Sequence, residues 1–230
     1  MIPKTIHYCW FGGKPLTDLN KRCIDSWVKL LPDFTLKLWN ESNTALDNDY
    51  LKSACERGAW SKLSNLVRLD ALLREGGIYL DTDVEMIKSF GPLLKNTCFA
   101  GFQQREQQVD WINSAVVGSQ AGHPFIAKCI DLTVSAFEKT GEFPRSPAVF
   151  TEVLTTTGLR EYKQQEIAGV TLYPADYFYP FTWLEHFSPA RITENTYCIH
   201  HWEGSWLSRK HRRIRTVRRT LNRFFPGFDQ

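Results

Sequence analysis

The twenty residues from Ser64 to Asp83, SNLVRLDALLREGGIYLDTD, constrain this chain more than any other stretch. Leu63, Leu66, Val67 and Leu73 fall on one helical face, which predicts a helix over about residues 61–74. Glu75-Gly76-Gly77 ends it, since glycine takes the left-handed conformation that closes a helix. Ile78-Tyr79-Leu80 then reads as a strand running directly into Asp81-Thr82-Asp83. A glycine turn that hands a helix over to a strand tipped with carboxylates belongs in an α/β domain.

The rest of the chain agrees. Ile6, Tyr8 and Trp10 alternate with His7 and Cys9, a short strand ending at Gly12-Gly13. Leu16, Leu19, Cys23, Trp27 and Leu30 recur at helical spacing until Pro32 stops them. Phe34, Leu36 and Leu38 alternate in a second strand, so the opening is a βαβ unit. Ala115-Val116-Val117 reads as a buried strand, residues 123–137 as a helix and residues 197–202 as a late strand. A length of 230 residues suits one core, and neither an internal repeat nor a low-complexity linker divides it.

Hydrophobic residues at 43% and charged residues at 23% are ordinary for a soluble globular protein. The six cysteines form no close pairs, which argues against a zinc knuckle or CxxC redox motif and for buried thiols in a reducing cytoplasm. Met1-Ile2-Pro3-Lys4 lacks the apolar run of a signal peptide, and no stretch approaches the roughly 18–20 apolar residues of a membrane span. The expected location is cytoplasmic.

Residues two apart in an extended segment point the same way, so Asp81 and Asp83 can face one cation if the strand end bends. Hard carboxylate oxygens suit Mg²⁺ or Mn²⁺, which in turn bind phosphate oxygens. The tripeptide alone is weak, because short acidic motifs arise often by chance. Its context is not weak. Ser64, Arg68, Leu72, Gly76, Gly77, Tyr79, Asp81 and Asp83 together match the long pattern S-D-x-x-R-x-x-x-L-x-x-x-G-G-x-Y-x-D-x-D. In these residues the chain resembles glycosyltransferase family 32 and, more distantly, the clostridial glucosylating toxins.

Two end segments extend the resemblance over about residues 1–207. Pro3 to Gly13 is similar to the family's opening strand, where the residue matching Trp10 stacks on uracil. Ile199-His200-His201-Trp202-Glu203-Gly204-Ser205-Trp206 is similar to its closing H-x-W-x-x-S-W element. By that likeness His200 or Ser205 completes the metal shell or touches the diphosphate, and Trp206 packs over the phosphates. His200 and His201 point to opposite faces of a strand, so at most one reaches a metal, and the family pattern favours His200. Ser64, Tyr79 and Thr82 are expected to line the nucleotide-sugar site, and Asn113 to meet the sugar or the acceptor. The pattern's Asp, three residues before the arginine, is here Asn65, which keeps the shape but loses the charge. The resemblance implies that Asn65 and Arg68 hold the donor sugar.

The implied fold is a single GT-A-type nucleotide-sugar-binding domain, a Rossmann-like mixed sheet flanked by helices, over residues 1–207. The implied activity is a retaining, Mn²⁺- or Mg²⁺-dependent transfer of a hexose from a UDP-sugar to a bacterial surface glycan, a lipopolysaccharide or capsule precursor. A non-catalytic sugar-nucleotide or glycan binder is the alternative that Asn65 raises. A glycoside hydrolase is disfavoured, because Asp81 and Asp83 lie too near in sequence to flank a scissile bond.

The end of the chain is different in kind. Eight Lys/Arg lie between Arg209 and Arg223, and Asp229 is the only acidic residue after Leu207. Ile214, Val217, Leu221, Phe224, Phe225 and Phe228 recur among them at helical intervals. A basic amphipathic helix over residues 208–230 predicts attachment to an anionic membrane surface, at the inner face of the cell membrane. The same pattern also fits a helix packed on the body. A nucleic-acid partner is disfavoured, since no base-stacking or recognition module accompanies the charge.

Overall fold

A computed structural model describes residues 1–204, together with Thr216 and Thr220. Ser205, Trp206 and the basic helix expected over residues 208–230 lie outside the described residues, those two threonines excepted.

The opening βαβ unit forms as its pattern requires: β1 (Thr5–Cys9), α1 (Asp18–Leu30) and β2 (Thr35–Trp39). At the start of α1, Thr17 and Asn20 make a reciprocal capping box, and the helix buries Cys23 and Trp27. A buried Trp removes about 150–250 Å² from water, roughly 4–6 kcal/mol before entropy, against about 1 kcal/mol for a cap. Packing therefore decides that α1 exists, and the cap decides where it starts.

Next come α2 (Asp49–Glu56), α3 (Trp60–Glu75), β3 (Gly77–Leu80), β4 (Val84–Met86), β5 (Cys98–Phe102) and β6 (Ile112–Ser119). Two further helices, α4 (Pro124–Thr140) and α5 (Ser146–Thr156), precede β7 (Gln165–Ile167), β8 (Val170–Tyr173) and β9 (Cys198–His200). Seven strands form one sheet in the order β2-β1-β3-β6-β5-β8-β7. β1 is parallel to β2 and β3, while β6 is antiparallel to both its neighbours, so the sheet is mixed. β4 and β9 pair antiparallel in a separate ribbon.

All four residues of β3 are buried, because both faces of the sheet are covered. Tyr79 joins the core shared with α2, α3, α4 and α5, and Ile78 and Leu80 join the core shared with α1, β4 and β9. The α3–β3 junction requires its glycines. Gly77 holds φ at +109°, and a Cβ there would lie 2.7 Å from the Thr5 carbonyl oxygen and 3.0 Å from His7 Nε2.

Several elements differ from their sequence patterns. His123 caps α4 rather than entering it, its side chain accepting from the Phe125 amide. The late strand is shorter than residues 197–202, because Trp202 turns out of the ladder with φ at +53°. All six cysteines are free thiols, five of them buried. No helix among the described residues is long and apolar enough to cross a membrane.

His7, fully buried on β1, ties this junction together. Trp39 Nε1 can only donate, and it does so to His7 Nδ1 at 3.1 Å. His7 Nε2 therefore carries the proton and donates to the Gly76 carbonyl at 2.8 Å. The neutral ring completes both bonds, and burial pushes its pKa below the ordinary 6.5. As pH falls, the unfolded chain therefore takes the proton first. The His7 contribution is complete above about pH 6.5 and is lost as pH drops through the lower folded-state value. Urea unfolding across pH 5–8 should show stability declining below that point, with a shallower decline in His7→Gln. His123, whose pKa is also lowered by burial, contributes with the same sign, so the difference between the two proteins is the measurement. Equal slopes would exclude His7 as a source.

Candidate active site

The β3 ladder extends one bond past its last residue, the Asp81 amide donating to the Ala115 carbonyl at 2.9 Å. The chain then turns, with the Val84 amide bonded to the Asp81 carbonyl at 3.0 Å, and enters β4. This bend is what a DxD segment needs for both carboxylates to face one point.

Asp81 is held by two groups on one oxygen: Arg68 Nη2 and the Tyr79 hydroxyl each lie 3.0 Å from Oδ1. Arg68 itself is buried on α3. Its Nη1 donates to the Ser114 carbonyl at 2.6 Å and to Ser114 Oγ at 3.2 Å, and its Nε to the Ser64 carbonyl at 3.3 Å. Its guanidinium stands 4.3 Å from the centre of the Tyr79 ring. Burial opposes the Arg68 charge, but the Asp81 carboxylate and neighbouring Tyr79 raise its pKa above the ordinary arginine value. Arg68 is a permanent cation.

Asp83 is positioned from the closing segment. Its carbonyl accepts from the His201 amide at 3.0 Å, its Oδ2 accepts from the Glu203 amide at 2.8 Å, and its Oδ1 lies 3.2 Å from His200 Nε2. Burial pushes the Asp83 carboxyl up, but His200 and the Glu203 amide outweigh it and hold the group well below the usual carboxylate range. His200 lies opposite Val84 in the β4–β9 ladder. His201 points the other way and meets Glu85 Oε2 at 2.7 Å. Strand alternation thus separates the two histidines, and His200 is the one beside Asp83.

One ligand atom each from Asp81, Asp83 and His200 lies within 4.8 Å of the other two. Donors around a small divalent cation stand about 3–4 Å apart, and Asp83 Oδ1 and His200 Nε2, at 3.2 Å, fall within that range. Two carboxylates and an imidazole form a donor set suited to Mn²⁺ or Mg²⁺. His200 Nδ1 is buried without a partner among the described residues, while its Nε2 faces the Asp83 carboxylate, which can only accept.

The other expected residues are placed as follows. Ser64 donates to the Trp60 carbonyl at 2.9 Å within α3, and Asn65 and Thr82 are half-buried. Trp10 is half-buried too, its Nε1 donating to the Lys14 carbonyl at 2.5 Å, so the glycine loop folds back on the ring. That loop abuts α3: a Cβ on Gly12 would lie 2.5 Å from Trp60 Nε1. Asn113 is buried, with its amide nitrogen bonded to Gln103 Oε1 at 2.8 Å and its oxygen accepting from the Ala115 amide at 2.7 Å. Ser114 and Glu203 were not singled out from the sequence. Serine beside Asn113 and glutamate within the closing motif were visible, but only contact with Arg68 and Asp83 gives them a role.

Residues 17–100 match the family model described as "Glycosyltransferase sugar-binding region containing DXD motif", and residues 118–223 match "Alpha 1,4-glycosyltransferase conserved region". Both models describe glycosyltransferases, so the chain is similar to the DXD glycosyltransferases over these two segments, and it has their GT-A fold. Among curated proteins, mouse lactosylceramide 4-alpha-galactosyltransferase is 30% identical over 151 residues, which cover 61% of this chain and 40% of that one. Inositol phosphoceramide mannosyltransferase 3 of Schizosaccharomyces pombe is 28% identical over 137 residues, 56% of this chain and 36% of that one. The chain thus spans about two fifths of the length of these relatives. Among solved structures, the PaToxG glycosyltransferase superposes with a TM-score of 0.55 at 23% identity, over 67% of this chain and 69% of that one. The galactosyltransferase LgtC, crystallised with donor and acceptor sugar analogues, does so with a TM-score of 0.51 at 11% identity, over 94% and 95%.

The geometry around Arg68 predicts an unforgiving site. Arg68→Met should cost about 3 kcal/mol in urea unfolding, the low end for breaking a buried pair because Asp81 still reaches water. Arg68→Lys should recover little of this, since one ammonium cannot reach Ser64, Ser114 and Asp81 together. Wild-type stability in Arg68→Lys would mean that a single contact carries the position.

Proposed function

We propose that this glycosyltransferase moves a hexose from a UDP-sugar to a hydroxyl of a lipid-linked glycan, with retention of anomeric configuration and with a bound divalent cation. The observation that carries the reading is the meeting of Asp81, Asp83 and His200 at the end of β3. Asp83 and His200 would hold Mn²⁺ or Mg²⁺, joined by Asp81 through the oxygen that Arg68 and Tyr79 leave free. Ser205 is a further candidate ligand from the sequence. When bound, the cation supplies positive charge that stabilises a departing diphosphate.

The protein's own groups do the positioning. Arg68 keeps Asp81 aimed, and with Asn65 it orients the donor sugar. Trp10 stacks on the uracil beside the glycine loop, Ser64, Tyr79 and Thr82 line the donor site, and Trp206 closes over the phosphates. The acceptor hydroxyl attacks the anomeric carbon from the face that the diphosphate leaves, the bond from that carbon to the phosphate oxygen breaks, and the hydroxyl proton passes to the departing diphosphate. No protein nucleophile is assigned, because every carboxylate in the group is already directed at the cation or at Arg68.

A lipopolysaccharide or capsule precursor is one such acceptor. The names of the curated relatives point to ceramide glycolipids, another membrane-borne class. A lipid-linked acceptor agrees with the basic stretch from Arg209 to Arg223, through which we place the protein on the anionic inner face of the cell membrane.

Release of UDP from UDP-Gal, UDP-Glc, UDP-GlcNAc and UDP-GalNAc, with and without Mn²⁺, tests the donor and the metal together. Asp83→Ala should lower turnover by about a hundredfold or more and abolish metal-dependent UDP binding. Retained activity would remove the central claim, and tight UDP binding without turnover on any acceptor would favour the non-catalytic binder. Deleting residues 208–230 should reduce sedimentation with anionic liposomes while sparing donor hydrolysis; undiminished sedimentation would show that the tail is not the anchor.

A further inference from the structure

Glu203 joins two parts of the molecule that the carboxylate–imidazole group does not itself bring together. Trp202 and Gly204 both hold positive φ, +53° and +64°, so the chain swings away from β9 with Glu203 between them. The Glu203 amide donates to Asp83 Oδ2 at 2.8 Å. Its side chain reaches in the other direction, to the start of α1. Thr17 Oγ lies 3.0 Å from Oε1, and Asn20 Nδ2 lies 3.0 Å from Oε2.

Those two partners are themselves rigid. Asn20 is fully buried and is used at both ends, its Oδ1 accepting from the Thr17 amide at 3.2 Å while Nδ2 donates to Glu203. The single Thr17 hydroxyl proton is shared between Asn20 Oδ1, at 2.8 Å, and Glu203. The Glu203 carboxylate also faces the positive end of a 13-residue helix. The same helix braces the strand that leaves the site: Trp27 Nε1 donates to the Val84 carbonyl at 2.7 Å, and the Met86 amide donates to Ser26 Oγ at 2.9 Å.

We propose that Glu203 is a positioning residue for the cation site, using the α1 cap as an anchor from which its own amide fixes the Asp83 carboxylate. The proposal rests on reading Asp81, Asp83 and His200 as a cation-binding group. Rotation of a carboxylate about its last bond is soft, so Asp83 needs an external contact to choose an orientation. The Glu203 amide occupies Oδ2 and leaves Oδ1 turned toward His200. The substitution that matters is therefore in the side chain, although the contact with Asp83 is made by the backbone. Without the anchor, the turn from Trp202 to Gly204 loses its reference to α1 and the amide drifts from Asp83.

The test is Mn²⁺ binding by the full chain in the presence of UDP, read from the free-Mn²⁺ electron paramagnetic resonance signal and independent of turnover. Glu203→Ala should weaken Mn²⁺ binding about 10- to 100-fold, the range for partners that orient a metal ligand. Glu203→Gln should restore most of it, since its oxygen accepts from Asn20 and its amide donates to Thr17. Hydrogen exchange at the amide of position 203 should speed up in Glu203→Ala and stay slow in Glu203→Gln. Wild-type Mn²⁺ affinity in Glu203→Ala overturns this proposal alone, as does a loss that Glu203→Gln fails to rescue. A wild-type chain that takes up no Mn²⁺ overturns the cation reading, and this proposal with it.

Discussion

A guanidinium with only 5% of its surface exposed must find its partners inside the protein, and Arg68 finds them on three elements at once. The Ser64 carbonyl comes from its own helix, Ser114 from β6 and Asp81 from the end of β3. Burying such a charge costs several kcal/mol, and the Asp81 contact roughly offsets that cost. The pair's consequence is geometric. An α3, β3 or β6 displaced by an ångström would cost a buried cation one of its partners, so the three elements share one register. Asp81 is aimed as a by-product of keeping Arg68 satisfied.

The second constraint is the junction that brings α3 into β3. Only glycine fits at position 77, where any Cβ would press on the Thr5 carbonyl. His7 closes the junction by donating to Gly76 while accepting from Trp39, which links β1, β2 and the end of α3 in one neutral, pH-sensitive contact. The third is the closing segment. Its pairing of β9 with β4 brings His200 beside Asp83, although 117 positions separate them in the chain. One carboxylate is thus aimed from the middle of the chain and the other from near its end. A chain built this way has a site whose two halves are held by different parts of the core.

Much of this was legible in the amino-acid order. The helix ending at Glu75-Gly76-Gly77, the strand Ile78-Tyr79-Leu80 and the opening βαβ unit are local patterns, and each formed within a residue or two of its expected bounds. Strand alternation was enough to say that His200 and His201 face apart. Less legible were β4, β7 and β8, each of three or four residues, too short for a period to declare itself. Asn113 shows a different limit: its bonds to Gln103 and to the Ala115 amide come from the fold alone. The sequence marks a polar residue at a strand end, but not which neighbours it will satisfy.

By itself the sequence determined the class of protein, because long-range chemistry here is written in a short-range motif: Arg68, the glycines and the two aspartates lie within sixteen residues. It also determined the asymmetry between an acidic body and the basic stretch from Arg209. Only the tertiary structure decided that Asp81 answers to Arg68 and Asp83 to His200 and Glu203, and that Glu203 is in turn anchored on Thr17 and Asn20. The physical reason is that a carboxylate's role depends on which donors surround its two oxygens. Those donors come from segments that meet only when the two cores on either side of β3 are packed.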